Sequence, residues 1–255
     1  MNRFPATPSF RLDGRSALVA GGTSGIGLGA AAALAEAGAD VTVAARSPDR
    51  LDETREAFAE RGLAVRPLRM DVGDVDAMTD SVSRTGPFDI LVNSAGLARH
   101  APALDVTPRS FDTVMSVNLR GAFFLAQAVA QGLIAAGRPG SLITISSQMG
   151  HTGGVDRSVY CASKHAVEGF TKAMAIEWGS HGIRVNTVCP TFIRTPLTEG
   201  TFADPERVAW ITEKIRLGRV GQVEDVMGAV LYLASDASAL VTGSALRVDG
   251  GWTAG

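Results

Sequence analysis

The sequence predicts an α/β fold, a single doubly wound parallel sheet with helices on both faces. Three observations carry that expectation. Short apolar runs alternate with longer Ala- and Leu-rich runs along all 255 residues. The short runs are apolar almost throughout rather than at every second position, as strands covered on both faces require. A glycine-rich turn joins the first short run to the first long one, and ligands of doubly wound sheets sit at such strand ends.

The elements follow in order. Residues 17–20 form the first expected strand, and residues 26–37 the first helix, stopped by Gly38. Residues 41–44 make the second strand. Residues 49–60 make the second helix, with Pro48 at its entrance and Gly62 beyond its exit. A strand at 65–69, a helix at 74–84 and a strand at 90–93 come next. A long helix is expected over 108–136, followed by Gly137, and a fifth strand over 141–146. Residues 158–180 read as a second long helix and 183–188 as a sixth strand. A looser segment, 190–217, precedes a helix at 223–234 and a last strand at 245–248. No repeat, low-complexity tract or linker interrupts this order, so residues 1–255 are expected to form one domain, with 1–11 as an N-terminal extension.

Bulk properties exclude several function classes. The formal net charge is −2, and Lys and Arg are scattered with no run to follow a phosphate backbone, so no nucleic-acid partner is expected. Residues 1–10 lack a basic region followed by an apolar run. No uninterrupted apolar stretch reaches the roughly 20 residues that span a bilayer. Cys161 and Cys189 sit in apolar segments without disulfide-framework spacing. Together these predict a cytoplasmic protein with two reduced, buried thiols, no membrane partner and no metal site.

The turn Gly21-Gly22-Thr23-Ser24-Gly25-Ile26-Gly27 lies between the first strand and the first helix. Glycine there allows unusual backbone angles and a close backbone approach to a pyrophosphate, with amides at the helix start facing the anion. A purely structural turn is the alternative. A carboxylate that would hold the 2′-hydroxyl of NAD is expected at the end of the second strand. Ala45 and Arg46 stand there instead. A guanidinium without a neighbouring acid suits a 2′-phosphate, so NADP is expected in preference to NAD; a solvated Arg46 is the alternative. Asp71, with Val72 beside it, is either an adenine contact or an ordinary helix cap.

Tyr160 and Lys164 lie four apart on one expected helix face. A free tyrosine has a pKa near 10, and a nearby ammonium favours its phenolate. Ser147 sits at the end of the fifth strand, where a hydroxyl can stabilise charge on a substrate oxygen. Asn118 lies in the apolar context Val117-Asn118-Leu119. An amide there must find a partner, and taken alone it reads as a satisfied structural group.

These residues resemble the short-chain dehydrogenases/reductases. The pattern Gly21-x-x-x-Gly25-x-Gly27, Asn93-Ser94-Ala95-Gly96, Asn118, Ser147, Tyr160-x-x-x-Lys164 and Asp249-Gly250-Gly251 occurs in that family's order and spacing. The similarity runs from about Leu12 to Trp252 and selects Ser147 over Ser146. It implies a Rossmann-like fold, a homotetramer or homodimer, and interconversion of a secondary alcohol and a ketone with a nicotinamide dinucleotide. By position, Tyr160 would move the proton, Lys164 would lower its pKa and bind the nicotinamide ribose, and Ser147 would hold the substrate oxygen. Asn118 would keep a water in line. Asn93, Ala95 and Gly96 would lie along the cofactor, with Pro190, Ile193 and Thr195 near its nicotinamide end. Departures are Ala20 for the usual Thr, Ser94 for the usual Asn, and Thr191 for the usual Gly. The Tyr–Lys spacing resembles the ketone/alcohol branch rather than the enoyl reductases.

The expected pocket segments contain Gln148, His151, Asp156 and Arg157, then Arg99 and His100, then Phe192 and Arg194. Gln148, His151, Arg157 and Phe192 are the leading substrate contacts, and their polarity points to a polyol, sugar or sugar acid; several of them facing solvent is the alternative. The runner-up within the family is a 3-oxoacyl thioester reductase. A catalytically silent dinucleotide-sensing regulator is the alternative of another class, and it would be expected to have lost the serine, tyrosine or lysine. Phe123, Phe124, Phe170 and Trp178 on the two long helices belong either to a subunit interface or to the monomer core.

Overall fold

In the computed structural model, which describes residues 4–255, seven strands form one parallel sheet. They are β1 (Ser16–Ala20), β2 (Asp40–Ala45), β3 (Val65–Arg69), β4 (Ile90–Asn93), β5 (Gly140–Ile145), β6 (Ile183–Pro190) and β7 (Ala245–Val248). The sheet order is β3-β2-β1-β4-β5-β6-β7. Between β1 and β4 the winding reverses, which opens a crevice at the carboxyl ends of those strands. The register there runs from Ala17 opposite Ile90 to Ala20 opposite Asn93. Of the expected extension 1–11, residues 1–3 lie outside the described residues; residues 4–11 form no helix or strand.

Strands β1 to β6 feed two cores by alternation, and β7 feeds only the first, through Leu246 and Val248. Ala17 and Val19 of β1 face a cluster with Leu34, Val43 and Val230. Leu18 and Ala20 face the other, with Leu91, Leu125 and Met174. The first core is covered by α1 (Gly25–Glu36), α2 (Pro48–Glu60) and, later in the chain, a helix at Glu224–Ala234. The second is covered by α3 (Val75–Thr85) and by two helical runs, one of which begins with α4 (Pro108–Met115). Burial of these side chains is the main stabilising term, about 1.5–3 kcal/mol for each large one. β3 departs from the apolar pattern, with exposed Arg66 and Arg69 and with Pro67. It is an edge strand, where a residue without an N–H and charged side chains are tolerated.

The expected helix 108–136 is continuous but not uniform. After α4 a π-helical turn, Ser116–Gly121, precedes α5 (Ala122–Ala136). The extra residue in the turn lets Asn118 face inward, and wide turns of this kind mark functional positions. Gly121 permits it: a Cβ there would lie 2.4 Å from the Val72 carbonyl oxygen. The whole run has 29 residues, and an 18-residue window within it has a mean hydropathy of 1.3, which suffices by length and composition to cross a membrane. It instead packs on the sheet through Leu125, Val129 and Leu133. Gly137 ends it at φ 62°, as a left-handed cap.

The other long helix, α6 (Ser158–Trp178), stops two residues short of expectation and passes into a 3₁₀ turn. The looser segment is corrected more substantially. It holds a short helix α7 (Glu199–Phe202) and a regular helix α8 (Pro205–Lys214). Asp204 caps α8 by accepting from the Glu206 and Arg207 amides, ahead of Pro205. The last helix, α9 (Glu224–Ala234), packs against α1. Cys161 and Cys189 are free and buried.

Candidate active site

A groove follows the crevice above β1 and β4. Its first section, about 540 Å³, is lined by Gly21, Thr23 and Ser24 on one side and by Asp71, Val72 and Ala95 on the other. Arg46 and Arg50 also line it, and Arg50 lines the second section as well. The second section, about 430 Å³, is lined by Gly25, Ile26 and Gly96, then by Pro190, Ile193 and Thr195. Ser147, Tyr160 and Lys164 close it. A third cavity of about 80 Å³ opens beside Ser147 and Tyr160, with Gln148, Arg157, Thr191 and Phe192 in its wall.

The glycine turn is built for close approach. Gly21 has φ 74°, and a Cβ on it would lie 2.9 Å from the Ala95 amide nitrogen. Gly27 is not in the groove wall; a Cβ on it would lie 2.2 Å from the Gly21 carbonyl oxygen. It holds the turn against the first turn of α1. The N-terminus of α1 has no side-chain cap, whereas Ser47, Asp74 and Asp204 cap α2, α3 and α8. Its first amides therefore face the groove with no side chain satisfying them, which is the arrangement an anion needs. Asp74, rather than Asp71, caps α3 through the Ala77 amide, so the cap alternative for Asp71 falls away. Asp71 accepts from the Gly73 amide and lines the groove. This cradle fits a pyrophosphate-bearing dinucleotide.

Asn93 and Asn118 are buried behind the wall rather than in it. Asn93 Oδ1 accepts from the Ala95 amide at 3.2 Å and shapes the turn after β4. Asn118 holds both backbone groups of Leu97, accepting from its N at 2.9 Å and donating to its O at 2.8 Å. It also donates to Ser163 Oγ at 3.2 Å. The amide is a clamp between the π turn, the loop after β4 and α6. The departures at Ala20 and Ser94 leave the strand join to the backbone, where the Ser94 amide donates to Ala20 O at 2.9 Å. Thr191 needs no left-handed backbone, since Asp156 is the one non-glycine with positive φ among the described residues.

Lys164 is buried, and its Nζ donates to the Ile145 carbonyl at 2.9 Å. It lies 5.7 Å from the centroid of the Tyr160 ring. Burial draws the ammonium down to about 8, against the opposing pull of Cys189 and Glu168. Burial also pushes the Tyr160 phenol above its ordinary value; the Ser147 hydroxyl and the Arg157 charge act in the other direction. The groups that oppose burial at Tyr160 are thus Ser147 and Arg157. Lys164, expected in that role, is turned to the Ile145 carbonyl. Ser147 Oγ accepts from the Met149 amide at 3.1 Å, which fixes the hydroxyl at the start of a 3₁₀ turn, Gln148–Gly150.

His151 is a correction. It lines neither the groove nor the third cavity. The 3₁₀ turn directs it behind the site, where Nε2 lies 3.4 Å from Cys189 Sγ and 3.8 Å from Glu168 Oε2. The buried Glu168 also accepts from the Thr187 hydroxyl at 3.0 Å and from the Cys189 thiol at 3.3 Å. Sequence reasoning did not single out Arg50, Leu197, Thr198 or Thr201, which complete the cavity walls. Arg50 had a legible signal, in the first turn of α2 and four residues after Arg46. The other three lie in the segment read as loose.

A family model described as Enoyl-(Acyl carrier protein) reductase matches residues 20–253. L-xylulose reductase of Bos taurus is 41% identical over 244 residues, covering 96% of this chain and 98% of that protein. Gluconate 5-dehydrogenase of Gluconobacter oxydans (strain 621H) is 40% identical over 248 residues, 96% of each chain. A solved gluconate 5-dehydrogenase of Burkholderia cenocepacia J2315, in complex with NADP and tartrate, superposes with a TM-score of 0.91 at 39% identity. That match covers 96% of this chain and 98% of the other. With the glycine cradle, Ser147, Tyr160 and Lys164 along one groove, the chain belongs to the short-chain dehydrogenase/reductase family and is a nicotinamide-dependent oxidoreductase of CH–OH groups.

Proposed function

We propose that this enzyme interconverts a secondary alcohol and a ketone on a small polyol, sugar or sugar acid, with NADP(H) preferred over NAD(H). The observation that carries the reading is continuity. One groove runs from the uncapped helix start to Ser147, Tyr160 and Lys164, and a polar cavity opens beside them. The sugar and sugar-acid activities printed for the relatives support the substrate class.

The nicotinamide group, when bound, supplies or accepts the hydride. Gly21, Thr23, Ser24, Gly25 and Ile26 hold the pyrophosphate end, and Gly27 keeps that turn against α1. Asp71 and Val72 border the adenine, and Ala95, Gly96, Pro190, Ile193 and Thr195 line the remainder. Arg46 and Arg50 have no ion-pair partner among the described residues. They receive the 2′-phosphate, which is the basis of the NADP preference. Tyr160 gives or takes the proton at the substrate oxygen, Ser147 holds that oxygen, and Lys164 binds the ribose hydroxyls. Asn118 acts by fixing the loop at Leu97, and Asn93 by fixing Ala95. Gln148, Arg157 and Phe192 contact the substrate, and residues 190–217 form the region that covers it.

Residues 1–255 act as one cytoplasmic domain, assembled as a homotetramer. Phe123, Phe124, Phe170 and Trp178 pack against the monomer core; what supports the assembly is the groove between α5 and α6 that Phe123, Phe170 and Trp178 border with Ile134. Light scattering of the purified protein checks the assembly.

The test of function is nicotinamide absorbance with polyols, ketoses, sugar acids and β-keto esters, each with both cofactors. The expected result is turnover of the hydroxylated compounds, lost in Tyr160→Phe with cofactor binding kept. Turnover confined to β-keto esters, or unaffected by Tyr160→Phe, would overturn it.

A further inference from the structure

Arg157 is the one charged side chain in the wall of the cavity beside Ser147 and Tyr160, apart from the imidazole of His100, and no Asp or Glu lines that wall. Arg157 is 7% exposed, so its guanidinium is held largely out of water. No carboxylate lies within ion-pair distance of it among the described residues. Its Nη2 is buried without any hydrogen-bond partner. Removing a cation from water without a counter-ion is strongly unfavourable. A fold that keeps one in that state beside its reacting residues is completed by an anion from outside.

What holds Arg157 in place leaves one edge for that anion. Nη1 donates to His100 Nε2 at 2.7 Å. His100 serves as the acceptor because burial, then the charges of Arg157 and Arg207, draw its pKa down to about 4, so the ring is neutral. The guanidinium carbon lies over Phe192, 5.3 Å from the ring centroid. Phe192 is in turn packed against Trp252 at 5.6 Å. The group is thereby held from two sides, and Nη2 remains without a partner. Around it the cavity offers neutral polar groups that are also unpartnered: both amide atoms of Gln148, and the Thr191 hydroxyl. An amide supplies a donor and an acceptor together, which suits hydroxyls. A guanidinium edge suits a carboxylate.

Resting on the oxidoreductase reading above, we propose that Arg157 is the carboxylate-binding residue of the substrate cavity. The compound turned over is a polyhydroxylated carboxylic acid, bound by its acid group at Arg157 and by hydroxyls at Gln148 and Thr191. A neutral polyol or ketose fills the same space but leaves the buried cation uncompensated.

The experiment compares gluconate and galactonate with glucitol and galactitol, using Arg157→Gln and Arg157→Lys. Two readouts are taken: kcat/KM with NADP+, and the thermal shift each compound gives with NADP+ present. In the wild-type protein the acids are expected to exceed the polyols in kcat/KM by on the order of 100-fold, the scale of breaking a buried charge-assisted pair. Arg157→Gln should remove that advantage and the acid-induced thermal shift; because the Arg157 charge also acts on Tyr160, acid and polyol rates both change, and the readout is the acid-to-polyol ratio of kcat/KM, which should fall to about one. Arg157→Lys should recover part of the binding. An acid-induced shift that needs Arg157 supports the proposal even without turnover; in that case the oxidoreductase reading is what fails. Equal handling of acids and polyols by the wild type, equal losses on both in Arg157→Gln, or no shift with either acid would overturn it.

Discussion

Replacing Lys164 by Met should make the folded protein more stable at neutral pH while removing its activity. In the native state burial draws the ammonium from an ordinary 10.5 to about 8. That gap corresponds to about 3 kcal/mol by which charge on this group opposes folding when both states are protonated. Below pH 8 the opposition is fully present. Between about pH 8 and 10.5 the unfolded chain binds a proton that the native chain does not, so wild-type stability from this group rises with pH. Above 10.5 the opposition is gone. Methionine fits a similar volume but loses the hydrogen bond to Ile145 O at 2.9 Å, a cost of about 1 kcal/mol. The variant should therefore gain about 2 kcal/mol at pH 7, or roughly 4–8 °C in Tm. It should lose that gain, and fall slightly below the wild type, near pH 10.5. The assay is denaturant unfolding of both proteins from pH 6 to 10.5, with NADPH oxidation measured alongside. A difference that stays constant with pH, or a variant less stable at pH 7, would refute the reasoning.

Other outcomes follow from the geometry of the groove. Gly27→Ala places a methyl 2.2 Å from Gly21 O, backbone that cannot move aside; fluorescence titration should show NADPH affinity reduced at least about tenfold, on the scale of 1.4 kcal/mol per decade. Asn118→Leu removes three hydrogen bonds and strands the Leu97 backbone groups. Calorimetry should show a loss of about 2–4 kcal/mol, with a raised KM for cofactor. The double change Arg46→Ala with Arg50→Ala should weaken NADP+ binding by about 10–100-fold and NAD+ binding by less than about threefold, measured by calorimetric titration; equal weakening of both would remove these residues from the 2′-phosphate site.

Much of this arrangement is legible along the chain because it depends on local chemistry. Strands announced by unbroken apolar runs occur where expected, to within about two residues. Gly137 ends α5 because a left-handed residue is needed there. Ser147, Tyr160 and Lys164 line one groove section, as spacing and resemblance implied. α8 was missed because its apolar stripe is thin, although Asp204-Pro205 signals its start. The π turn at Ser116–Gly121 has no local signature, since it depends on Gly121 meeting Val72 from a distant segment.

The side-chain partners are a different kind of fact. His151 and Gln148 are three residues apart, yet one joins Glu168 and Cys189 behind the site and the other faces the cavity. Asn118 reaches Leu97 and Ser163, far from it in sequence. That Arg157 is buried, stacked on Phe192 and left without an acid could be known only once both cavity walls were in place. By itself the sequence determined the fold class, the glycine turn and the grouping of Ser147, Tyr160 and Lys164, because periodicity, backbone freedom and spacing are properties of short segments. The tertiary structure alone decided which polar groups are satisfied and which are left without a partner, because burial and partnership are set by segments that meet across the fold.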